Sequence, residues 1–352
     1  MEVLDSIIIG AGQAGLSASY HLQRIGVRHE VLDADEAPGG AWQHRWNSLT
    51  MRDVHGIAAL PDSRSPGSPT GRANEIVPDY FATYERTHRL PVVRPVRVDD
   101  VRDRSGLLEV RADDSNWQAR TLINATGTWS RPFVPHYPGV QTFRGEQLHT
   151  ADYPGPEHFR GLRTVVVGGG ASAVQFLGEL APVTDTLWVT RREPVWRADE
   201  FTAAAGRAAV ALVQDRVRRG LPPASVVSVT GLALREQERA AAELGAFRRR
   251  PMFVAIEPSG VRFADGVVEP VDVILWATGF RPAISHLAPL HLRSRHGGIQ
   301  LDGTTAVADP RIQLVGYGPS ASTIGANRAG RVAARGVHRW LEQHPLAVPA
   351  AV

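Results

Sequence analysis

The sequence predicts an α/β fold built twice over, and three observations carry that prediction. The chain opens on SIIIGAGQAG, a short apolar run that turns into Gly10, Gly12 and Gly15. LRTVVVGGGASAVQ repeats the pattern near residue 164, with Gly168, Gly170 and Ala173. Each copy is closed downstream by an apolar run ending in Ala-Thr-Gly, TLINATG and VILWATG, at nearly equal intervals: Gly10 to Gly127 and Gly168 to Gly279. Strand, glycine turn and helix in that order make the phosphate-cradling unit of a doubly wound sheet. Two such units predict two Rossmann-like dinucleotide-binding domains.

In the first copy an apolar strand at about 5–9 runs into Gly10, and Ala14 and Ala18 are small residues on the helix that follows. The next strand, HEVLDAD, ends at Asp33, at about the 20-residue distance the dinucleotide fingerprint requires. The first glycine makes the tight turn and the second lets the backbone approach a pyrophosphate. The helix N-terminus supplies N–H groups and positive dipole for that charge. Asp33 is placed to accept hydrogen bonds from a ribose diol. Strand, helix, second strand and terminal acid agree, which a glycine-rich turn in an ordinary α/β domain does not require.

In the second copy the strand at about 164–167 leads through Gly168, Gly170 and Ala173 into a helix reaching about residue 180, with Ser172 in its first turn. The following strand, DTLWVTRRE, ends in Thr190, Arg191 and Arg192 rather than in an acid. Arginine at that position suits a 2′-phosphate, which an aspartate repels. This half reads as an NADPH site, with NADH as the variant and a solvated arginine pair as the structural alternative. Thr278 and Gly279 complete its expected contacts. About 70 residues follow the second Ala-Thr-Gly, including a strand in RIQLVGYG and a Gly/Ala/Arg-rich helix from about 323. They are expected to return to the first domain. The expected division is 1–140 with 283–352 for the first domain and 158–280 for the inserted second, joined by linkers at 141–157 and about 281–282.

Composition narrows the chemistry. A hydrophobic content of 43% with 21% charged residues suits a globular protein. No apolar run approaches the roughly 18 residues a membrane span needs. The acidic start before a very short apolar run is the reverse of a secretory leader, so a cytoplasmic protein is expected. There is no cysteine, which removes disulfides, thiolate nucleophiles and dithiol relays. There is no lysine either, so all 39 basic residues are arginine and Schiff-base chemistry is excluded. The formal net charge is only +3, and neither nucleic acid nor a membrane is an expected partner. No metal site is expected. A homodimer is the default assembly.

One dinucleotide with an acid partner and one with arginines looks like FAD plus NADPH, the pairing of two-domain flavoproteins resembling thioredoxin reductase. The disulfide reductases among them need a cysteine pair that this chain lacks. After Asp33 comes APGGAWQHRW, with Gly39, Gly40, Trp42 and Trp46. Gly-Gly-x-Trp resembles flavin-containing and Baeyer–Villiger monooxygenases, whereas cysteine-free ferredoxin–NADP reductases of this fold generally lack the tryptophan. FRGEQLHTADYP then fits FxGxxxHxxxY, the signature of class B flavin monooxygenases, through Phe143, Gly145, His149 and Tyr153. Tyrosine at the last position leans toward the flavin-containing monooxygenases, Baeyer–Villiger enzymes usually having tryptophan. The resemblance spans about 4–340 and points to a compact bacterial member.

The resemblance implies further FAD contacts at Gly40, Trp42, Val98, Thr126, Gly127, Gly316 and Thr323. It also implies a cycle in which NADPH reduces the flavin and O2, as co-substrate, is captured as a C4a-(hydro)peroxyflavin. That adduct would oxygenate a small organic substrate at nitrogen or sulfur, or by Baeyer–Villiger insertion. A flavoprotein reductase passing electrons to an acceptor, and a non-catalytic redox-responsive dinucleotide-binding protein, are the alternatives.

Two departures from the family pattern stand out. Where many members have an asparagine beside the flavin, this chain has NSLTMRDVHG. Arg52 is the catalytic candidate there, with pairing to Asp53 or solvent exposure as the structural alternative. His55 is a candidate proton donor, with an ordinary surface-loop histidine as the structural alternative. In LVGYGPSAST, Tyr317 stands where related flavoproteins often carry an acid. His149 is the second catalytic candidate, expected to hydrogen-bond across the linker or near the nicotinamide dinucleotide. The loop 63–76 reads as a lid or a connector, and the arginines of 200–250 as a solvated face. Trp188 and Trp196 are expected in the core or at a domain interface.

Overall fold

The computed structural model describes residues 2–54, 57–67, 70–196, 203–223, 231–232, 234 and 236–345. The chain divides into two compact units: Met1–Thr128 with Val210–Ala224 and Pro282–Val352, and Trp129–Ala209 with Ser225–Arg281. Among the described residues no helix is long and apolar enough to cross a membrane.

The first unit is organised by a nine-stranded sheet. Its parallel part runs in the order Val92–Val93, His29–Leu32, Val3–Ile9, Ser115–Asn124 and Ile312–Leu314. That is the doubly wound order, with the first strand in the middle. Antiparallel strands Asp100–Arg104 and Leu107–Ala112 extend the start of Ser115–Asn124. Both faces of the sheet are buried, so the central strand reads as a continuous apolar run. Ile8 packs into one apolar cluster and Ile7 and Ile9 into the other, as a strand's period of two demands.

Helices Gln13–Arg24 and Thr323–Gln343 pack on the Ile8 side and approach closely at Gly330. A β-carbon there would stand 2.7 Å from Ser17 Oγ and 2.8 Å from the Ala18 nitrogen. Ser17 Oγ donates to the Asn327 carbonyl at 3.0 Å, and Asn327 reaches the Ala59 carbonyl. The last described helix thus belongs to the first unit, through packing that a Gly/Ala-rich face makes possible. Helix Ala73–His88 adds Val77, Phe81 and Tyr84 to the same cluster at helical spacing.

The second unit carries a five-stranded sheet, parallel throughout, in the order Arg249–Pro251, Asp185–Thr190, Arg163–Val167, Val273–Trp276 and Glu146–His149. Its apolar cluster includes Val165, Val167, Ile274 and Trp276. A three-stranded antiparallel sheet, Ala255–Glu257, Gly260–Arg262 and Val268–Pro270, accompanies it. Both units therefore use the same strand order, but in the second the edge strand precedes the others in sequence.

Two segments differ from their sequence reading. The stretch expected as the linker 141–157 supplies that edge strand, with Leu148 paired to Leu275 and His149 to Trp276. Only its last residue, His149, is fully buried. A four-residue edge strand with one buried side chain leaves no readable period. The stretch 210–224, expected inside the inserted domain, groups with the first unit. Val217 of helix Ala203–Arg218 is buried in the cluster of Ile7 and Ile9. Arg216, Arg218 and Arg219 around it are exposed.

Gly145 is required by the entry into the edge strand. A β-carbon there would lie 2.2 Å from the Asp272 carbonyl oxygen and 2.5 Å from the Phe143 ring. Phe143 is itself packed on the unit's apolar cluster. Gly145→Ala must displace backbone, and overpacking of that kind costs about 1–3 kcal/mol. A thermal melt of the variant is expected to fall by several degrees, and an unchanged melt would refute the steric reading.

Candidate functional site

In the first unit, Gly10 has a φ of +99°, and a β-carbon there would sit 2.8 Å from the Ala125 carbonyl oxygen. At Gly15 it would lie 1.9 Å from the Gly10 oxygen. At Gly12 it would meet nothing within 4 Å. The three glycines thus divide the work: Gly10 and Gly15 close the turn, and Gly12 faces open space at the start of helix Gln13–Arg24. No side chain caps that helix start. Gly40 presses on the same loop, its β-position 2.9 Å from Gly12 Cα. Trp42 is half-buried against the Ile8 cluster, and the Arg45 guanidinium lies 5.6 Å from its ring and 5.9 Å from that of Trp46. Burial lowers Arg45 to about 10.

Asp33 follows strand His29–Leu32 and is buried beside this turn. Its Oδ1 accepts from the Ala11 N–H at 3.1 Å, and its Oδ2 from Arg94 Nε at 2.7 Å. Burial raises its pKa, opposed by those two donors. Val98, an expected contact, turns its side chain into the Ile7 and Ile9 cluster, which leaves its backbone for any ligand.

The first Ala-Thr-Gly closes against the same unit's returning chain. Thr126 Oγ1 donates to the Ala283 carbonyl at 2.6 Å, and Ala283 N–H to the Gly127 carbonyl at 2.9 Å. Gly127 and Gly316 both have positive φ and nearly touch, 3.6 Å from one's Cα to the other's β-position. Asn124, one residue before the motif, accepts at Oδ1 from buried His286 at 2.7 Å. Burial lowers His286 to about 4, so it is neutral. Tyr317 points into the core, its hydroxyl accepting from the Ile299 N–H at 3.0 Å. It is a packing residue. Thr323 opens helix Thr323–Gln343, whose start is capped by Ser322 Oγ accepting from the Gly325 N–H at 3.1 Å.

The second unit repeats these relations. Gly168 has a φ of +146°, and its β-position lies 2.2 Å from the Ala277 carbonyl oxygen. At Gly170 a β-carbon meets nothing within 4 Å. Ser172 is half-buried and Ala173 fully buried in helix Ala171–Leu180. Trp188 is buried and donates to the Gly168 carbonyl at 2.7 Å. Trp196, in contrast, is 41% exposed.

At the end of strand Asp185–Thr190, Arg191 and Arg192 are exposed. Arg249, on the neighbouring parallel strand, joins them: its Nε donates to Thr190 Oγ1 at 2.7 Å, and Glu193 pairs with its Nη1 at 2.7 Å. Sequence reading placed Arg249 on a solvated face. Arg249 is the first residue of its strand, and the register that pairs it with Trp188 brings its side chain to Thr190, a relation the local sequence does not show.

His149 and the second Ala-Thr-Gly are joined in the second unit. The His149 Nε2–H donates to the Gly279 carbonyl at 3.0 Å, and its Nδ1 accepts from the Ala151 N–H at 3.1 Å. This is the neutral ring with the proton on Nε2, and burial lowers its pKa. Phe280 packs edge-on against the ring, and Thr278 Oγ1 donates to the Phe133 carbonyl. Both ring nitrogens are engaged, so His149 holds the turn that ends strand Val273–Trp276. Tyr153 is buried between Phe159 and Phe176, and its hydroxyl donates to Glu179 at 3.1 Å. Arg52 is exposed, while the Asp53 carboxylate accepts from the Thr50 hydroxyl at 2.5 Å and from its N–H. His55 lies outside the described residues.

Residues 7–205 match the family described as pyridine nucleotide-disulphide oxidoreductase. A flavin-containing monooxygenase from Stenotrophomonas maltophilia is 36% identical, with a TM-score of 0.82 over 97% of this chain and 99% of that one. An uncharacterized CzcO-like oxidoreductase of Geobacillus kaustophilus is 24% identical over 87% of this chain and 89% of its own. An indole-3-pyruvate monooxygenase of Oryza sativa is 27% identical over 79% and 77%. The chain therefore belongs to the pyridine nucleotide-disulphide oxidoreductase family and, within it, to the flavin-containing monooxygenases.

Proposed function

We propose that the protein is an FAD-containing, NADPH-dependent monooxygenase that places one atom of O2 on the nitrogen or sulfur of a small organic molecule, or beside a ketone carbonyl. The observation that carries this reading is the duplicated glycine turn with unlike strand ends: Asp33 after one, Arg191 and Arg192 with Arg249 after the other. The balance is NADPH, H+, O2 and substrate giving NADP+, water and oxygenated substrate. FAD, when bound, supplies the two-electron relay and the activation of O2.

The chain's residues fit both dinucleotides. The open space at Gly12 and the uncapped helix start admit a pyrophosphate against backbone N–H groups. Gly170 and helix Ala171–Leu180 offer the same in the second unit. Asp33 suits an unphosphorylated ribose, whose hydroxyls are donors. Three guanidinium groups at one strand end suit a 2′-phosphate. A Glu193 carboxylate on Arg249 would be released as the phosphate arrives. His149 keeps the Gly279 turn in shape and takes no proton. Absence of cysteine and lysine is consistent with chemistry that needs no side-chain nucleophile.

The nitrogen or sulfur route and the ketone route are separated by products. With a thioether, an amine and a cyclic ketone as probes under 18O2, the label is expected in a sulfoxide, N-oxide or lactone in proportion to NADPH consumed. NADPH consumption with all oxygen recovered as hydrogen peroxide, whatever the probe, would instead support an electron-passing reductase. For the nucleotide, Arg191→Ala removes a charge-assisted hydrogen bond of about 1.5–3 kcal/mol. The KM for NADPH is expected to rise at least about tenfold, with that for NADH little changed. Equal loss with both nucleotides would sink the 2′-phosphate assignment.

A further inference from the structure

The acid after strand His29–Leu32 is part of a buried triad. Arg94 brings Nε to 2.7 Å from Asp33 Oδ2 and grips Glu85 with two prongs, Nη1 at 2.8 Å from Oε2 and Nη2 at 2.7 Å from Oε1. The side chains of Arg94, Asp33 and Glu85 are only 11, 7 and 10% exposed. Arg94 and Glu85 lie outside the glycine turn, the strands and the closing turn that define a dinucleotide site; Glu85 comes from helix Ala73–His88. Burying three charges is expensive, and apolar packing would staple the same elements as well. A carboxylate that must stay ionised out of water has a use for such a partner.

We propose that Arg94 is a positioning residue for the first dinucleotide: anchored on Glu85, it keeps Asp33 ionised and oriented as acceptor for the ribose hydroxyls. This rests on the reading of the first unit as the FAD site. A carboxylate has about four acceptor directions. Ala11 N–H and Arg94 Nε take one on each oxygen, which leaves one on each for a diol. Glu85 takes two more guanidinium N–H groups, and the two-pronged grip fixes the plane in which Nε meets Asp33.

Burial is what chiefly pushes the Asp33 carboxyl up, and the Ala11 N–H at the helix start and Arg94 oppose it. Asp35, itself paired with His44 at 3.0 Å, adds a smaller upward push. Without Arg94 the carboxyl shifts further upward, so a proton competes with the ribose toward neutrality. Affinity for FAD then falls as pH falls.

The test is the Kd of FAD for the full chain between pH 6 and 9, read from flavin fluorescence, in the wild type, Arg94→Gln, Arg94→Lys and Asp33→Asn. The wild type is expected to be flat within about twofold. Arg94→Gln is expected to bind about tenfold more weakly at pH 6, the loss of a hydrogen bond to a charged group, and to recover toward wild type by pH 9. Asp33→Asn is expected to be weak and flat, which also excludes His44 and Asp35 as the source of the slope. Arg94→Lys, which keeps the charge without the two-pronged grip, falls between and reports on the proposal if the glutamine variant loses its fold by circular dichroism. An Arg94 variant parallel to wild type across pH, at equal or uniformly lower affinity, overturns the proposal while leaving the FAD site standing. A wild-type chain that does not bind FAD removes the FAD reading and the proposal together, and an Asp33→Asn variant that binds like wild type overturns the proposal and the ribose role of Asp33 while the FAD reading stands.

Discussion

At the carboxyl end of each parallel sheet, the α-carbon of a glycine lies against a peptide carbonyl where a β-carbon cannot fit. In one unit it is Gly10 against Ala125, in the other Gly168 against Ala277. That contact brings the first strand's turn beside the Ala-Thr-Gly that ends its neighbour. It also sets where the following helix begins, and so where N–H groups point. The open positions at Gly12 and Gly170 follow from it, because the chain must leave the turn before a side chain can cover it. The two threonines of the Ala-Thr-Gly motifs then do one job, each donating to a carbonyl of a crossing segment.

Around this shared frame, charge makes the two sites differ. Asp33 lies buried among donors, held by Arg94 and Ala11, in an environment that accepts hydroxyl donors and repels phosphate. Thr190, Arg191 and Arg192, with Arg249 alongside, leave cations at the surface of the other strand end. A chain without lysine uses arginine for each of these tasks, and the planar fork shows in the two-pronged Arg94–Glu85 pair. Histidines serve as neutral hydrogen-bonding struts, His149 on the Gly279 turn and His286 on Asn124.

The glycine turns, the first strand of each unit and the helix after each turn were legible because they are local: apolar run, positive-φ glycine and small helix residues follow one another along the chain. The FxGxxxHxxxY stretch was legible as a pattern and illegible as a structure. Its spacing matches neither helix nor strand because its residues serve different neighbours. Gly145 clears Asp272, Leu148 pairs with Leu275, His149 holds Gly279, and Tyr153 packs on Phe159 and Phe176. Tyr317, a departure from the family pattern in sequence, fills the core with its ring and meets the Ile299 N–H with its hydroxyl.

By itself the sequence determined the fold class, the duplication and the chemical type of the two strand ends, because each depends on side chains close together in the chain. Only the tertiary structure decided which distant residues complete them. Arg94 and Glu85 on Asp33, Arg249 on Thr190, His286 on Asn124 and the edge strand Glu146–His149 are all joined across the fold. Strand register and helix packing bring these groups together, and neither leaves a period or a spacing in the local sequence from which the partner can be read.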